Sequence, residues 1–338
     1  MVYSKILFAG NILSKHKASK GVSEKIVDIF SKEVHIRAVS DKANKILRFA
    51  DIFWVCLTHN YDVLVADTYS GQALTIARLA SLVAKIRGKK IILVLRGGML
   101  PEFYVKNKSL VNSVLQRANQ IITPSLYLQN SFNEFGYKVE YIPNFIDTSV
   151  FYEHKMERKP YSLLWVRAFR SIYNPSLAVE SFAGILKNYP QATLTMAGPD
   201  DGLLDETKKL AKKLGVLDKI TFPGPLKNTE LPDLYSSCSV YLNTTSYESF
   251  GMAVMEAVAC GIPVVSTAVG EIPLLWKDNE EILLVNDFKS QTMSEKIEEL
   301  FANPAKSQKI VTNAKVKVSA YSLDEIKERW FKLFQATK

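Results

Sequence analysis

The chain has 338 residues, too many for one ordinary core and suited to two domains. Its 47% hydrophobic and 23% charged residues give an ordinary soluble composition, and no segment reaches the ~18 uninterrupted apolar residues of a membrane-spanning helix. Cys56, Cys238 and Cys260 sit in apolar contexts without metal-ligand spacing or a disulfide framework, a pattern that predicts a reducing cytoplasm. All of the net charge of +9 lies in residues 1–150, which hold 14 Lys and 6 Arg against 11 Asp and Glu; the remainder is balanced. A basic half predicts either an anionic surface or substrate as partner, or simply solubility.

In chain order, MVYSKILFAGN reads as a first strand over 5–10, with no signal-peptide cleavage pattern. A polar loop and a helix over 22–32 follow, then a strand over 33–39. Segment 42–58, KANKILRFADIFWVCLT, mixes Lys and Arg with Phe and Trp as interfacial helices do, while core packing explains its apolar run IFWVCLT equally well. Strands over 61–68, 89–98, 120–125 and 138–147 and a helix over 71–86 complete a first parallel sheet.

A charged, proline-ended linker is expected at 148–160, after which the pattern restarts. Strands are expected over 161–169, 192–199, 219–225, 239–246 and 262–267, and helices over 175–190, 203–216, 229–238 and 294–303. The fold class is therefore α/β, two doubly wound Rossmann-like domains over 1–152 and 160–320 facing a cleft. The final helix, within 321–338, packs on either domain in this reading, the first being the natural host.

ESFGMAVME (248–256) places a glutamate at each end of an apolar stretch. In one helix the two would stand ~80° apart around the axis and ~12 Å apart along it, too far for a retaining-glycosidase pair at ~5 Å. Glycine is a poor interior helix residue, so the better model starts the helix near Gly251. The backbone N–H groups of Ser249, Phe250, Gly251 and Met252 then form an anion seat at a helix N-terminus. Glu248 stands beside that seat, and Glu256 faces a more distant group such as ribose hydroxyls. The competing reading makes Glu248 a cap neighbour and Glu256 an exposed helix residue. Against it, a charge in so apolar a helix needs a partner.

SYESFGMAVMEAVACGIPVVSTAVGEIPLL resembles the donor-site signature of retaining GT-B glycosyltransferases of the family 4 (group 1) type. ITPSLYLQNSFNEFG, KVEYIPNFIDTSVF, LTMAGPDD and KITFPGPL extend the resemblance over most of the chain. It implies a retaining, metal-independent transfer from a nucleotide-diphosphate sugar to an acceptor hydroxyl, with no cofactor and no protein nucleophile. Glu248 would lie by the donor sugar and Glu256 would hold the ribose. Arg167, after the strand LLWV, looks like the family's arginine for the leaving diphosphate. The family's lysine about five residues on is missing, Ile172 or Tyr173 standing near its place, and Arg170 is the candidate substitute. Gly198 and, through its backbone, Leu226 would line the nucleotide pocket. Gly21, preceded by Lys20, resembles what remains of the family's glycine loop, with a plain helix start as the alternative. Arg96, in LRGG, and Asn144, in IPNF, follow strands where acceptor or donor phosphate would pass; a loop salt bridge explains Arg96 equally well.

The resemblance also predicts a glycan or lipid-linked acceptor in polysaccharide, capsule or lipopolysaccharide assembly. The enzyme would be cytoplasmic, touching an anionic inner membrane face through residues 1–150. Two rivals stand beside this reading: a phosphorylase or epimerase on the same fold, and a degenerate non-catalytic subunit. No GxGxxG follows the first strand and no GxxxxGK[ST] occurs. Aromatics and basic stripes do not interleave as nucleic-acid binding requires, and no metal-ligand cluster appears.

Overall fold

The computed structural model describes residues 4–10, 12 and 21–335. Lys20 therefore lies outside the described residues, as does most of the loop that carries it. Two compact units are present, one comprising 1–144 with 324–338, the other 145–323.

The first unit runs β1 (Ile6–Ala9), α1 (Val22–Phe30), β2 (Ile36–Val39), α2 (Lys45–Thr58), β3 (Val63–Thr68), α3 (Leu74–Ile86) and β4 (Lys90–Leu95). It continues through α4 (Leu100–Lys106), α5 (Lys108–Leu115), β5 (Gln120–Thr123), α6 (Leu126–Glu134) and β6 (Val139–Tyr141). Among the described residues its sheet has six parallel strands in the order β2-β1-β3-β4-β5-β6. The central strands ILFA and VLVADT are buried along their whole length, as a sheet covered on both faces requires.

The second unit runs β7 (Ser162–Val166), α7 (Pro175–Ile185), β8 (Thr193–Ala197), α8 (Leu204–Lys213), β9 (Ile220–Gly224), α9 (Leu231–Ser237), β10 (Val240–Asn243) and α10 (Met252–Ala259). β11 (Val264–Thr267), α11 (Ile272–Leu275), β12 (Leu283–Val285), α12 (Ser290–Ala302) and α13 (Pro304–Ser319) complete it. Its six described strands are ordered β12-β11-β10-β7-β8-β9, again parallel.

The final helix, α14 (Leu323–Phe334), belongs to the first unit from Asp324 onward. Phe30 of α1 receives Trp330, Phe331 and Phe334 with ring centroids 6.2, 5.2 and 5.7 Å away. Lys327 pairs with Glu33.

Two sequence expectations need correction, and the core-packing reading left open for IFWVCLT holds in part. The change of unit comes at Asn144/Phe145, ahead of the charged stretch at 148–160, because Ile146 and Phe151 are buried with Leu164 and Tyr235 in the second unit. Ile146 N–H also donates to Tyr321 O at 2.8 Å. The strand expected over 138–147 is only Val139–Tyr141, since Pro143 has no N–H to continue the ladder. IFWVCLT is only partly core: Ile52, Val55 and Cys56 are buried, whereas Phe53, Trp54 and Leu57 are exposed.

Candidate active site

In each sheet the strand order reverses once, and ligands of doubly wound sheets bind beyond the strand C-termini at that reversal. In the second sheet the reversal lies between β7 and β10. Arg167 follows β7 directly, and Asn243 is the last residue of β10. Arg167 Nη2 donates to Glu248 Oε2 at 2.7 Å and to Asn243 Oδ1 at 3.2 Å. Asn243 in turn donates to Ser266 Oγ at 2.8 Å. Both members of the ion pair are nearly buried, their side chains 13% and 12% exposed. Burial, the largest influence, works against the Arg167 charge, and Glu248 together with Tyr241, Tyr173 and Tyr235 outweighs it, so the guanidinium pKa is raised. Arg167 Nε is buried without a hydrogen-bond partner.

Glu248 is the residue around which the neighbouring loop is built. Its Oε1 accepts from the N–H of Ser249 at 3.1 Å and of Phe250 at 3.4 Å, two of the groups expected to form the anion seat. The carboxylate thus occupies the seat beside which the sequence placed it. The helix begins where expected, α10 starting at Met252 with Gly251 as its N-cap at φ 92°. A side chain at Gly251 would be strained at that φ and would bring a Cβ within 2.8 Å of Ile272 Cδ1.

Along α10 the described side chains are buried except Met252 and Glu256, which are half-buried. Positions 252 and 256 are four apart within α10 and so share one side of the helix. Glu256 Oε2 accepts from Tyr235 O–H at 3.4 Å. Burial, the neighbouring Tyr241 and Glu256 together raise the Tyr235 pKa, keeping it a neutral donor. Tyr241 is pushed up to about 12, chiefly by burial.

Gly198, after β8, has φ 149°, and a Cβ there would fall 1.8 Å from the carbonyl oxygen of Arg167. Its absent side chain lets β8 close on the backbone that carries the arginine. Leu226 is partly buried against the cluster that includes Tyr235 and Val254.

Arg170 is not brought to this group. It is an exposed side chain, and its Nε meets Asp201 Oδ2 at 3.1 Å. Near the position of the missing lysine stands Tyr173, whose ring lies 5.3 Å from the Arg167 guanidinium carbon. The segment 170–173 is tied to the end of β10: Thr244 Oγ1 donates to Tyr173 O at 2.8 Å and Thr245 Oγ1 to Ile172 O at 3.0 Å.

In the first unit the reversal lies between β1 and β3. There Arg96 and Asn144 come together around a residue that the motifs did not single out. Asp67, in β3, accepts from Arg96 Nε at 2.6 Å and from Ser23 Oγ at 2.5 Å, and Arg96 Nη1 reaches Asn144 Oδ1 at 3.4 Å. Arg96 and Asp67 are buried, so the salt bridge offered as the alternative for Arg96 is present. Burial opposes the Arg96 charge and Asp67 restores it, leaving the pKa raised. Gly21 caps α1, its N–H donating to Glu24 Oε2 at 2.8 Å, beside Ser23 in the sequence. Asp67 had a signal in the sequence: an acid inside the apolar strand VLVADT must be paired. Asn243 had none, because its contact with Arg167 joins residues 76 positions apart, and at Tyr173 the sequence marked the place of the missing lysine without the ring's contact to Arg167. Among the described residues no group of three or more His, Cys, Asp or Glu side chains is arranged to hold a metal ion.

Comparison with known proteins agrees with this layout. Residues 149–317 match the family described as glycosyl transferases group 1. A D-inositol 3-phosphate glycosyltransferase of Actinosynnema mirum is 28% identical over 174 residues, covering 49% of this chain and 42% of that protein. Mannosylfructose-phosphate synthase of Agrobacterium fabrum is 32% identical over 101 residues, covering 28% and 22%. The chain thus spans less than half the length of these curated relatives. Among solved structures, Anabaena HepE in complex with UDP and glucose superposes with a TM-score of 0.80 at 19% identity, over 98% of this chain and 99% of that one. Sucrose-phosphate synthase from Thermosynechococcus elongatus gives 0.80 at 15% identity, over 98% of each chain. The fold is the GT-B fold expected from the sequence, two Rossmann-like units with parallel sheets. The matched segment is half of the chain and lies within the unit that carries Arg167, Glu248 and Glu256, and on that match the chain belongs to the glycosyl transferases group 1.

Proposed function

We propose that this protein transfers a glycosyl group from a nucleotide-diphosphate sugar to an acceptor hydroxyl, with retained anomeric configuration and without a metal ion or cofactor. The observation that carries the reading is the group formed by Arg167, Glu248 and the N–H groups of Ser249 and Phe250 at the sheet's reversal point. A cation and converging backbone donors are what a departing diphosphate needs. UDP in the solved complex of Anabaena HepE supports a nucleotide donor.

In this proposal the diphosphate displaces the Glu248 carboxylate from the two N–H groups and takes Arg167 as its counter-cation. Glu248 turns to the donor sugar, and Glu256 with Tyr235 receives the ribose. As the bond from sugar to diphosphate breaks, its electron pair leaves with the phosphate. The acceptor oxygen bonds to the sugar on the same face, and its proton passes to the departing phosphate. Gly198 and Leu226 border the nucleotide, while the Asp67–Arg96–Asn144 group, with Gly21, serves the acceptor side. Lys20 is assigned to that side on sequence alone.

The acceptor in this reading is a glycan or lipid-linked glycan of polysaccharide, capsule or lipopolysaccharide assembly. The protein works in the cytoplasm against an anionic membrane, which residues 1–150 contact. No helix among the described residues is long and apolar enough to cross a membrane. Incubation with nucleotide sugars tests the reaction: release of nucleotide diphosphate only with acceptor, and an unchanged anomeric configuration by NMR, are expected. Inversion, or release dependent on inorganic phosphate, contradicts it.

One observation favours a second reading, a non-catalytic subunit. Tyr173 stands near the place of the missing lysine, and Arg170 is tied to Asp201. Nucleotide binding without turnover by any acceptor would select it.

A further inference from the structure

Most amphipathic helices of a globular protein turn their apolar side inward, and α2 also turns one outward. Its buried contacts come from Ile52, Val55 and Cys56. Ile46, Leu47, Phe49, Phe53, Trp54 and Leu57 are all exposed, Ile46 by 80% and Trp54 by 64%. At 100° per residue these six cover an arc of about 160° containing no charged residue. The helix α3 packs beside α2. Lys45 Nζ meets Gln72 Oε1 at 3.3 Å at one end, and Arg87 Nη1 donates to Cys56 O and His59 O at 2.8 Å at the other. Near that second end Leu82 and Ile86 are exposed, Ile86 by 77%.

The charges on these two helices are lopsided. Lys45, Arg48, Arg78 and Lys85 stand against Asp51 alone. Lys42, just before α2, is also exposed. Lys45 flanks one edge of this arc and Asp51 the other, Arg48 lies on the opposite side of α2, and Lys42 and Lys85 stand at the two ends. A broad apolar arc with an indole in it and a net positive charge about it has the composition of a surface that lies in the headgroup region of an anionic bilayer. A second copy of the chain would bring the same net-positive pair of helices against this one, and like charges oppose that pairing.

We infer that the outward face of α2, with the end of α3, is the surface by which this protein docks on an anionic lipid bilayer. The inference deepens the membrane contact proposed above and rests on it. The insertion would place Trp54 at the acyl boundary and the lysines among lipid phosphates.

The protein carries its own probe. Of its four tryptophans, Trp165, Trp276 and Trp330 are buried and Trp54 is exposed. The full chain is mixed with vesicles of phosphatidylcholine alone, or with phosphatidylglycerol added, and with the same lipids brominated on the acyl chain. Co-sedimentation and tryptophan quenching are read at low and high salt, beside thermal unfolding. The expected result is binding to the anionic vesicles only, weakened by salt, with quenching that disappears in Trp54→Phe. Phe53→Ser/Trp54→Ser should lower the partition about tenfold or more, and Lys42→Glu/Lys45→Glu by a similar factor, with unfolding temperatures unchanged. No binding to anionic vesicles overturns the membrane contact itself. Binding that persists in the Phe53→Ser/Trp54→Ser protein, or that leaves Trp54 unquenched, overturns the assignment to α2 and leaves the contact standing elsewhere. Equal binding to neutral vesicles, or a concentration-dependent dimer that shields Trp54 without lipid, overturns the anionic bilayer as occupant.

Discussion

Arg167 joins four features of the second unit: the end of β7, the end of β10 through Asn243, the Glu248 loop, and the ring of Tyr173. Its buried Nε has no hydrogen-bond partner. Arg167→Ala is expected to lower sugar transfer about 100- to 1,000-fold, the usual cost of losing a donor aimed at developing negative charge. A steady-state assay with saturating donor checks it, and an unaltered kcat would place the cation elsewhere. In the proposed reaction Glu248 competes with a diphosphate for the same guanidinium and the same two N–H groups. Glu248→Gln should therefore bind free nucleotide diphosphate more tightly, by about tenfold, while transfer falls. Calorimetric titration beside the activity assay separates this from a plain structural role, in which affinity drops. Glu256→Gln should weaken nucleotide binding, and unchanged affinity would remove Glu256 from the site.

At the scale of elements, the site stands on close backbone approaches that only glycine permits. Gly198→Ala puts a Cβ against the Arg167 carbonyl oxygen in a backbone conformation that side chains rarely adopt. Urea unfolding should show a loss of about 2–4 kcal/mol. A change within error would mean that β8 shifts freely. The start of α10 was legible in the sequence because a glycine between the polar SYES and an apolar run marks a helix boundary. The alternation of strands and helices was legible for the same kind of reason, since period and turn residues are local. The helices α4, α5, α6, α11 and α13 and the strand β12 were not identified. α4 and α5 are short and meet at Asn107, so neither shows a full apolar period, and the described side chains of α13 are buried only at Ile310, Val311, Ala314 and Val318. The ties of Thr244 and Thr245 to segment 170–173 were illegible because they join residues some 70 positions apart. The exposed face of α2 was also ambiguous, because an apolar run does not say which side meets water.

At the scale of the whole molecule, two sheets of the same design carry different charge and different chemistry. The excess positive charge belongs to residues 1–150, and the family match to 149–317. Both units hold buried acids in neutral form. Burial pushes Cys56 and Cys260 up from 9.0 to about 12, and Tyr61 and Tyr241 from 10.0 to about 12. A folded pKa raised above the unfolded one means that the unfolded chain loses its protons first. The contribution of these groups is whole below pH 9 and is lost as pH climbs from 9 to 12, the thiols first and the phenols above 10. The unfolding midpoint should accordingly be flat approaching pH 9 from below and fall steeply above it. A flat midpoint up to pH 11 would show that these groups ionise in the fold.

The central claim is that the second unit binds a nucleotide diphosphate on Arg167 and Glu256. Thermal unfolding of the whole chain against UDP, GDP, ADP and CMP tests it most directly, with Arg167→Ala and Glu256→Gln measured alongside. A ligand at ~100 times its dissociation constant stabilises by ~2.7 kcal/mol, a readily seen shift. A rise with one diphosphate nucleotide, no rise with CMP, and a smaller rise in both variants are expected. A flat response to every nucleotide, or the same rise in Arg167→Ala as in the unaltered protein, would contradict it.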